Sequence, residues 1–105
     1  MKLYFNGQYS MNPAMLLRRC GYGQIATRET SYARRFSRQE YPRFHVYIDK
    51  TFDGFAINLH LDQKKPSYGK QTSHSGEYNG ELVEREAQRI KQIVETFIFY
   101  GTATG

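Results

Sequence analysis

The stretch RFHVYIDKTFDGFAINLHLD, residues 43–62, decides how this chain folds. Phe44, Val46 and Ile48 alternate with His45, Tyr47 and Asp49. After a short interruption, Phe55, Ile57, Leu59 and Leu61 alternate with Ala56, Asn58, His60 and Asp62. Apolar residues at a period of two mark a strand with one buried and one polar face. Strands over Arg43–Lys50 and Phe55–Gln63, joined by Asp53-Gly54, predict an antiparallel hairpin, because an Asp-Gly pair suits a tight turn. A two-residue turn there places Ile48 opposite Leu59 and Val46 opposite Leu61, so the apolar faces coincide. The polar faces then coincide as well. His45 is expected opposite Asp62 and Tyr47 opposite His60, with Arg43, Asp49 and Asn58 on the same surface.

Outward from the hairpin, the chain reads as helices and shorter strands. Met1–Phe5 is a short edge strand with Leu3 and Phe5 on one face, followed by an Asn6-Gly7 turn. Asn12 caps a helix that has Pro13 at its first position and Gly21 at its end. Its body, Ala14–Cys20, puts Leu16, Leu17 and Cys20 on the core side. Thr30–Arg38 reads either as a strand, with Tyr32 and Phe36 inward and the arginines outward, or as a basic loop. Glu81–Phe99 is an amphipathic helix with Val83, Ala87, Ile90 and Val94 at helical spacing, together with Leu82, Ile93, Phe97 and Ile98. Asn79 is placed to cap it, Glu81 and Glu84 suit its positive end, and Gly101 stops it. Residues 64–79 form a long polar loop, and residues 101–105 a frayed tail. The expected architecture is a single α+β domain over residues 1–105. A small antiparallel sheet, the central hairpin plus one or two short strands, is packed by a short N-terminal helix and a long C-terminal helix. The order is roughly β-α-β-β-β-α.

Composition narrows the classes of function. Apolar residues make up 39% of the chain, and the aromatics are nine Tyr and seven Phe with no Trp, so the core leans on rings. A single cysteine, Cys20, excludes an intrachain disulfide and a thiolate metal cluster, which fits a reducing, cytoplasmic setting. Cys20 reads as a small buried hydrophobe rather than a nucleophile. No charged-then-apolar leader is present, and the apolar run Phe97–Tyr100 is far short of the ~20 residues a membrane helix needs, so no membrane partner is expected. Net charge is +5, and residues 18–43 alone hold seven arginines against Glu29 and Glu40. Guanidinium groups match phosphate and stack on bases, so the expected partner is RNA or another polyanion. The other reading is a basic face kept for solubility.

The polar face of the hairpin offers chemistry. A carboxylate beside an imidazole can orient it for general acid or base work near neutral pH. His45, His60, Asp62 and Tyr47 are therefore the candidate catalytic residues for a metal-independent ribonuclease or phosphodiesterase, with Asp62 orienting. A wet sheet face places polar residues there in any case, so whether the chain is an enzyme stays open. The same residues, with His74, also suit nitrogen and oxygen metal ligation, but the spacing is a weak signature. No metal and no cofactor are expected.

The candidate nucleic-acid-binding residues are Arg34, Arg35, Arg38 and Arg43, with Lys64, Lys65, Tyr68, Lys70 and His74 from the loop. The segment Gly69-Lys70-Gln71-Thr72 fails as a phosphate loop, because Lys64 stands where the first glycine belongs and Gln71 follows the lysine. The α-β-β-β-α order resembles that of double-stranded-RNA-binding domains and of small HicA-type ribonuclease toxins. In the toxins a helix ends in a Gly-aromatic pair, comparable to Gly21-Tyr22, and a strand histidine is catalytic, comparable to His45. The chain departs from the toxins in lacking a Gly-Ser-His-His strand. It departs from the RNA-binding domains in having Glu81 and Glu84 where lysines begin the last helix. The leading expectation is a small nucleic-acid-binding domain, RNA favoured. A further alternative is a protein-interaction subunit that dimerises through Phe97, Phe99 and Tyr100.

Overall fold

The computed structural model describes residues 1–25, 30–63, 76–77 and 80–99. In chain order the elements are β1 (Lys2–Asn6), α1 (Pro13–Arg19), β2 (Gly23–Ile25), β3 (Ser31–Arg35), β4 (Arg43–Thr51), β5 (Gly54–Asp62), β6 (Gly76–Glu77) and α2 (Glu81–Glu95). The strands form one antiparallel sheet in the order β1-β5-β4-β3-β2, and β6 pairs with the end of β5 beyond β1. The α+β class and the two packing helices agree with the pattern of the sequence. The sheet is larger than expected, because β2 and β6 are too short to show a period and are held by pairing with their neighbours.

The hairpin forms with a different turn. Thr51 faces Gly54, so Phe52 and Asp53 make the turn, and Ile48 lies opposite Ile57 rather than Leu59. Neither turn residue has a positive φ, so the geometry that favours Asp-Gly is not used. Gly54 is needed for a different reason. A Cβ there would collide with the carbonyl oxygen of Phe5 on β1. The register differs from the expected one by two residues, and a slip of two leaves every side chain on its expected face.

Both helices cover the apolar face. Phe44, Val46, Phe55, Ile57, Leu59 and Leu61 share one core with Leu16 and Leu17 of α1 and with Val83, Ala87, Ile90 and Val94 of α2. The Phe5 and Phe55 rings stack at 5.0 Å, with the edge of Tyr9 against both. Asn12 accepts from Met15 N at 2.9 Å, as a capping side chain should. At the other end of α1, Gly21 has φ of +95°, and the amides of Gly21 and Tyr22 donate to the carbonyls of Arg18 and Leu17. That reversal carries the buried Tyr22 ring back under the sheet.

Three expectations are corrected. Gly80, not Asn79, is the N-cap of α2, with no side-chain cap; Asn79 itself lies outside the described residues. The helix ends at Glu95 rather than Phe99. Ile98 bridges to Tyr9, and the backbones of Phe97 and Phe99 bond to Ser10 and Gln8, so the chain must leave the helix to pair there. In β3, Tyr32 is buried as expected, but Phe36 lies beyond the strand and is exposed, while Arg34 points to the helix side.

Arg34 is drawn inward by Glu86, an acid in the apolar stripe of α2 that is only 4% exposed. Glu86 accepts from Tyr22 Oη at 2.6 Å and from Arg89 through two bonds of 2.9 Å, and Arg34 Nη1 lies 3.5 Å away. Burial beside that carboxylate pushes the Tyr22 phenol far above its ordinary range. A buried carboxylate is tolerated when its oxygens are this fully matched.

Gly54→Ala tests the strand crowding. Forcing a Cβ against the backbone of β1 should lower stability by about 1–3 kcal/mol, read as a fall in the urea midpoint at unchanged slope.

Candidate functional site

The face of the sheet opposite the helices carries the candidate residues. Arg43 lies across from Asp62, His45 from His60, and Tyr47 from Asn58. The expected pairs, His45 with Asp62 and Tyr47 with His60, are therefore diagonal neighbours rather than direct ones. They still meet, because diagonal positions on a sheet face stay within reach of long side chains. His45 Nδ1 lies 3.0 Å from Asp62 Oδ2, and His60 Nε2 lies 3.1 Å from Asp62 Oδ1. One carboxylate thus holds two imidazoles, one on each oxygen. Arg43 Nε donates to Asp62 Oδ2 at 3.2 Å.

The rings are packed together. His45 is 4.8 Å from both His60 and Tyr47, and the Tyr47 and His60 rings are nearly parallel at 6.0 Å. His45 is buried, and its Nε2 is enclosed with no hydrogen-bond partner. Burial pushes the Asp62 carboxyl up, but the hydrogen bonds from His45 and His60, and their charge, outweigh it and hold Asp62 well below the usual carboxylate range. Further along the face, Asn58 donates to Asp49 at 2.7 Å and Lys2 lies 3.5 Å from the same Asp49 oxygen.

A concavity of about 380 Å³ adjoins this cluster. Gly23, Ile25 and Ala33 are in its lining, with Arg35, Glu40 and Arg43. Ala33 is the register partner of His45, and Arg35 that of Arg43, so the concavity and the imidazoles share one face. Arg43 links the two. Its guanidinium sits 4.5 Å over the Tyr41 ring and 3.6 Å from Glu40 while its Nε holds Asp62.

The arginines clustered in sequence separate in space. Arg35 and Arg43 are on the polar face, whereas Arg34 turns to Glu86 and the Phe44 ring on the other side. Arg38 is exposed in the 36–42 connection, where its carbonyl lies 3.5 Å from Arg35 Nη1. Lys64, Lys65, Tyr68, Lys70, His74 and Tyr100 lie outside the described residues. Phe97 packs against the core with Arg19 over its ring, and Phe99 is exposed. Cys20 is buried, and burial pushes its thiol up, which suits a packing role. Sequence reasoning missed the Tyr41 platform and Glu86. Glu86 was detectable, since it falls three residues after Val83 and four before Ile90 on the apolar stripe of the helix.

Comparison with protein-family models, with curated proteins and with solved structures finds no match. No described helix is long and apolar enough to cross a membrane.

The direction of the Asp62 shift fixes a pH dependence. The folded state binds the Asp62 proton more weakly than the unfolded chain, so this carboxylate adds stability above its unfolded value of about 3.9. That stability is lost as pH falls from there through the lower folded value. With a chelator present, the stability of the wild type relative to Asp62→Asn should decline as pH falls below about 4, as read by urea unfolding at each pH.

Proposed function

We propose that this domain binds single-stranded RNA across the polar face of its sheet. The observation that supports this reading is the placement of a cationic concavity and an aromatic surface side by side on that face. Arg35 and Arg43 line the concavity. Tyr47 and His60 stack beside it, and Tyr4 is exposed on β1, with Lys2 5.7 Å from the Tyr4 ring. From β3 to β1 the face spans three strand spacings, roughly 14 Å. Unstacked bases bind well on aromatic rings, and guanidinium groups take phosphates. Asp49 and Asn58 between them offer acceptors and donors for a 2′-hydroxyl, which favours RNA over DNA.

Phosphodiester cleavage by His45 and His60 has less support. A general acid or base must reach the substrate with a nitrogen. On His45 one nitrogen is taken by Asp62 and the other is enclosed.

Fluorescence anisotropy with short oligoribonucleotides tests the binding reading. Affinity should fall with salt, with a log–log slope of about −0.7 per phosphate contacted. Arg35→Ala should reduce that slope by one contact, and Tyr4→Ala should cost about 1–3 kcal/mol of binding. Arg18→Ala, on α1 behind the sheet, should change neither. Absence of binding at micromolar RNA in low salt, or an equal loss from Arg18→Ala, sinks the reading.

A further inference from the structure

We propose that His45 Nδ1, His60 Nε2 and Asp62 form a binding site for a divalent transition-metal ion of the zinc class. The proposed site does not rest on RNA binding, although the two surfaces share Arg43 and His60. Its ligating atoms lie within 4.8 Å of one another, and each imidazole nitrogen is 3.0 or 3.1 Å from its own carboxylate oxygen. Ligands bound to one ion at about 2.0–2.2 Å sit roughly 3 Å apart when adjacent, so the two His–Asp separations already suit an ion, while the set as a whole, spread within 4.8 Å, would have to contract around it. Two imidazoles and one carboxylate are a nitrogen and oxygen set that suits zinc and its neighbours rather than magnesium or calcium. Three protein ligands leave coordination positions open, as in sites that act on a bound molecule rather than sites that only staple a fold.

On His45 only Nδ1 faces the cluster, since Nε2 is enclosed without a partner; an ion would therefore take Nδ1 from its bond to Asp62, and the ring proton would sit on the unpartnered Nε2 at a cost. His45 Nδ1 points toward the same centre as His60 Nε2. The ligands stand on β4 and β5, adjacent strands in the interior of the sheet, so backbone pairing fixes their spacing before an ion arrives.

Arg43 is the opposing element. Its guanidinium shares Asp62 Oδ2 with His45 and repels a cation, partly offset by Glu40 at 3.6 Å. A plain hydrogen-bonded cluster would be served equally well by Arg43. The two interpretations differ in what removing Arg43 does. With a metal site, losing the competing cation strengthens ion binding.

The test is calorimetric titration of the chelator-treated chain with Zn²⁺ in the absence of nucleic acid, followed by Co²⁺ substitution and its visible absorption. One equivalent should bind, and the Co²⁺ spectrum should report nitrogen ligands. His60→Asn and Asp62→Asn should each weaken binding by at least ~10–100-fold, the range seen even for groups one step removed from a metal. Arg43→Gln should bind more tightly. Circular dichroism and urea unfolding of His60→Asn, whose side chain keeps a polar group at that position, establish that the fold survives. No stoichiometric binding, or binding to folded His60→Asn as strong as to the wild type, overturns the proposal. Either result leaves the RNA reading untouched, because that reading is judged by a different titration.

Discussion

The antiparallel pairing of β4 with β5 is the constraint on which the rest of the molecule depends. Pairing turns two alternating runs into two surfaces, one apolar and one polar. The apolar surface gathers Phe44, Val46, Phe55, Ile57, Leu59 and Leu61 beneath the helices. Each such side chain stabilises the fold by roughly 1.5–3 kcal/mol when buried. The polar surface receives Arg43, His45, Tyr47, Asn58, His60 and Asp62 as a consequence of the same alternation. A slip of one residue would reverse both surfaces together, whereas the slip of two that separates the expected turn from the observed one leaves them intact.

Among the described residues, Glu86 is buried and Asp62 partly so, and the two carboxylates are treated differently. Glu86 is enclosed by a phenol and two guanidinium groups drawn from α1's exit, β3 and α2 itself. Those donors tie the helix layer to the sheet, and breaking one would leave a buried charge short of partners. Asp62 is held by two imidazoles and one guanidinium at the sheet surface. Imidazoles exchange protons and ligate metals in the neutral range, which phenol and guanidinium do not. The first cluster is built for stability, and the second keeps chemical options.

The basic segment shows how charge in sequence becomes charge in space. Arg34 and Arg35 are adjacent in the chain, yet strand geometry sends them to opposite sides of the sheet. Arg34 is consumed by Glu86, and Arg35 joins Arg43 at the concavity. Arg43 reaches both the concavity and Asp62, so the concavity and the imidazole cluster share a residue. A ligand that engages Arg43 therefore also perturbs the carboxylate that orders His45 and His60.

The sequence by itself determined β4, β5, the bodies of both helices and the faces of the central hairpin, because period two and period 3.6 are local properties of the chain. Asn12, Pro13 and Gly21 likewise fixed α1 through backbone preferences that need no distant partner. The tertiary structure decided everything that depends on contacts between distant segments. Gly54 is spent on the close approach of Phe5, so the turn moves to Phe52 and Asp53. The chain after Glu95 leaves the helix because residues 8–10 offer backbone partners there. Arg34 turns inward because Glu86 waits on another element. The convergence of two imidazoles on one carboxylate also belongs to this class. Alternation put the three residues on one face, but their atomic meeting rests on the diagonal register that only the folded sheet supplies.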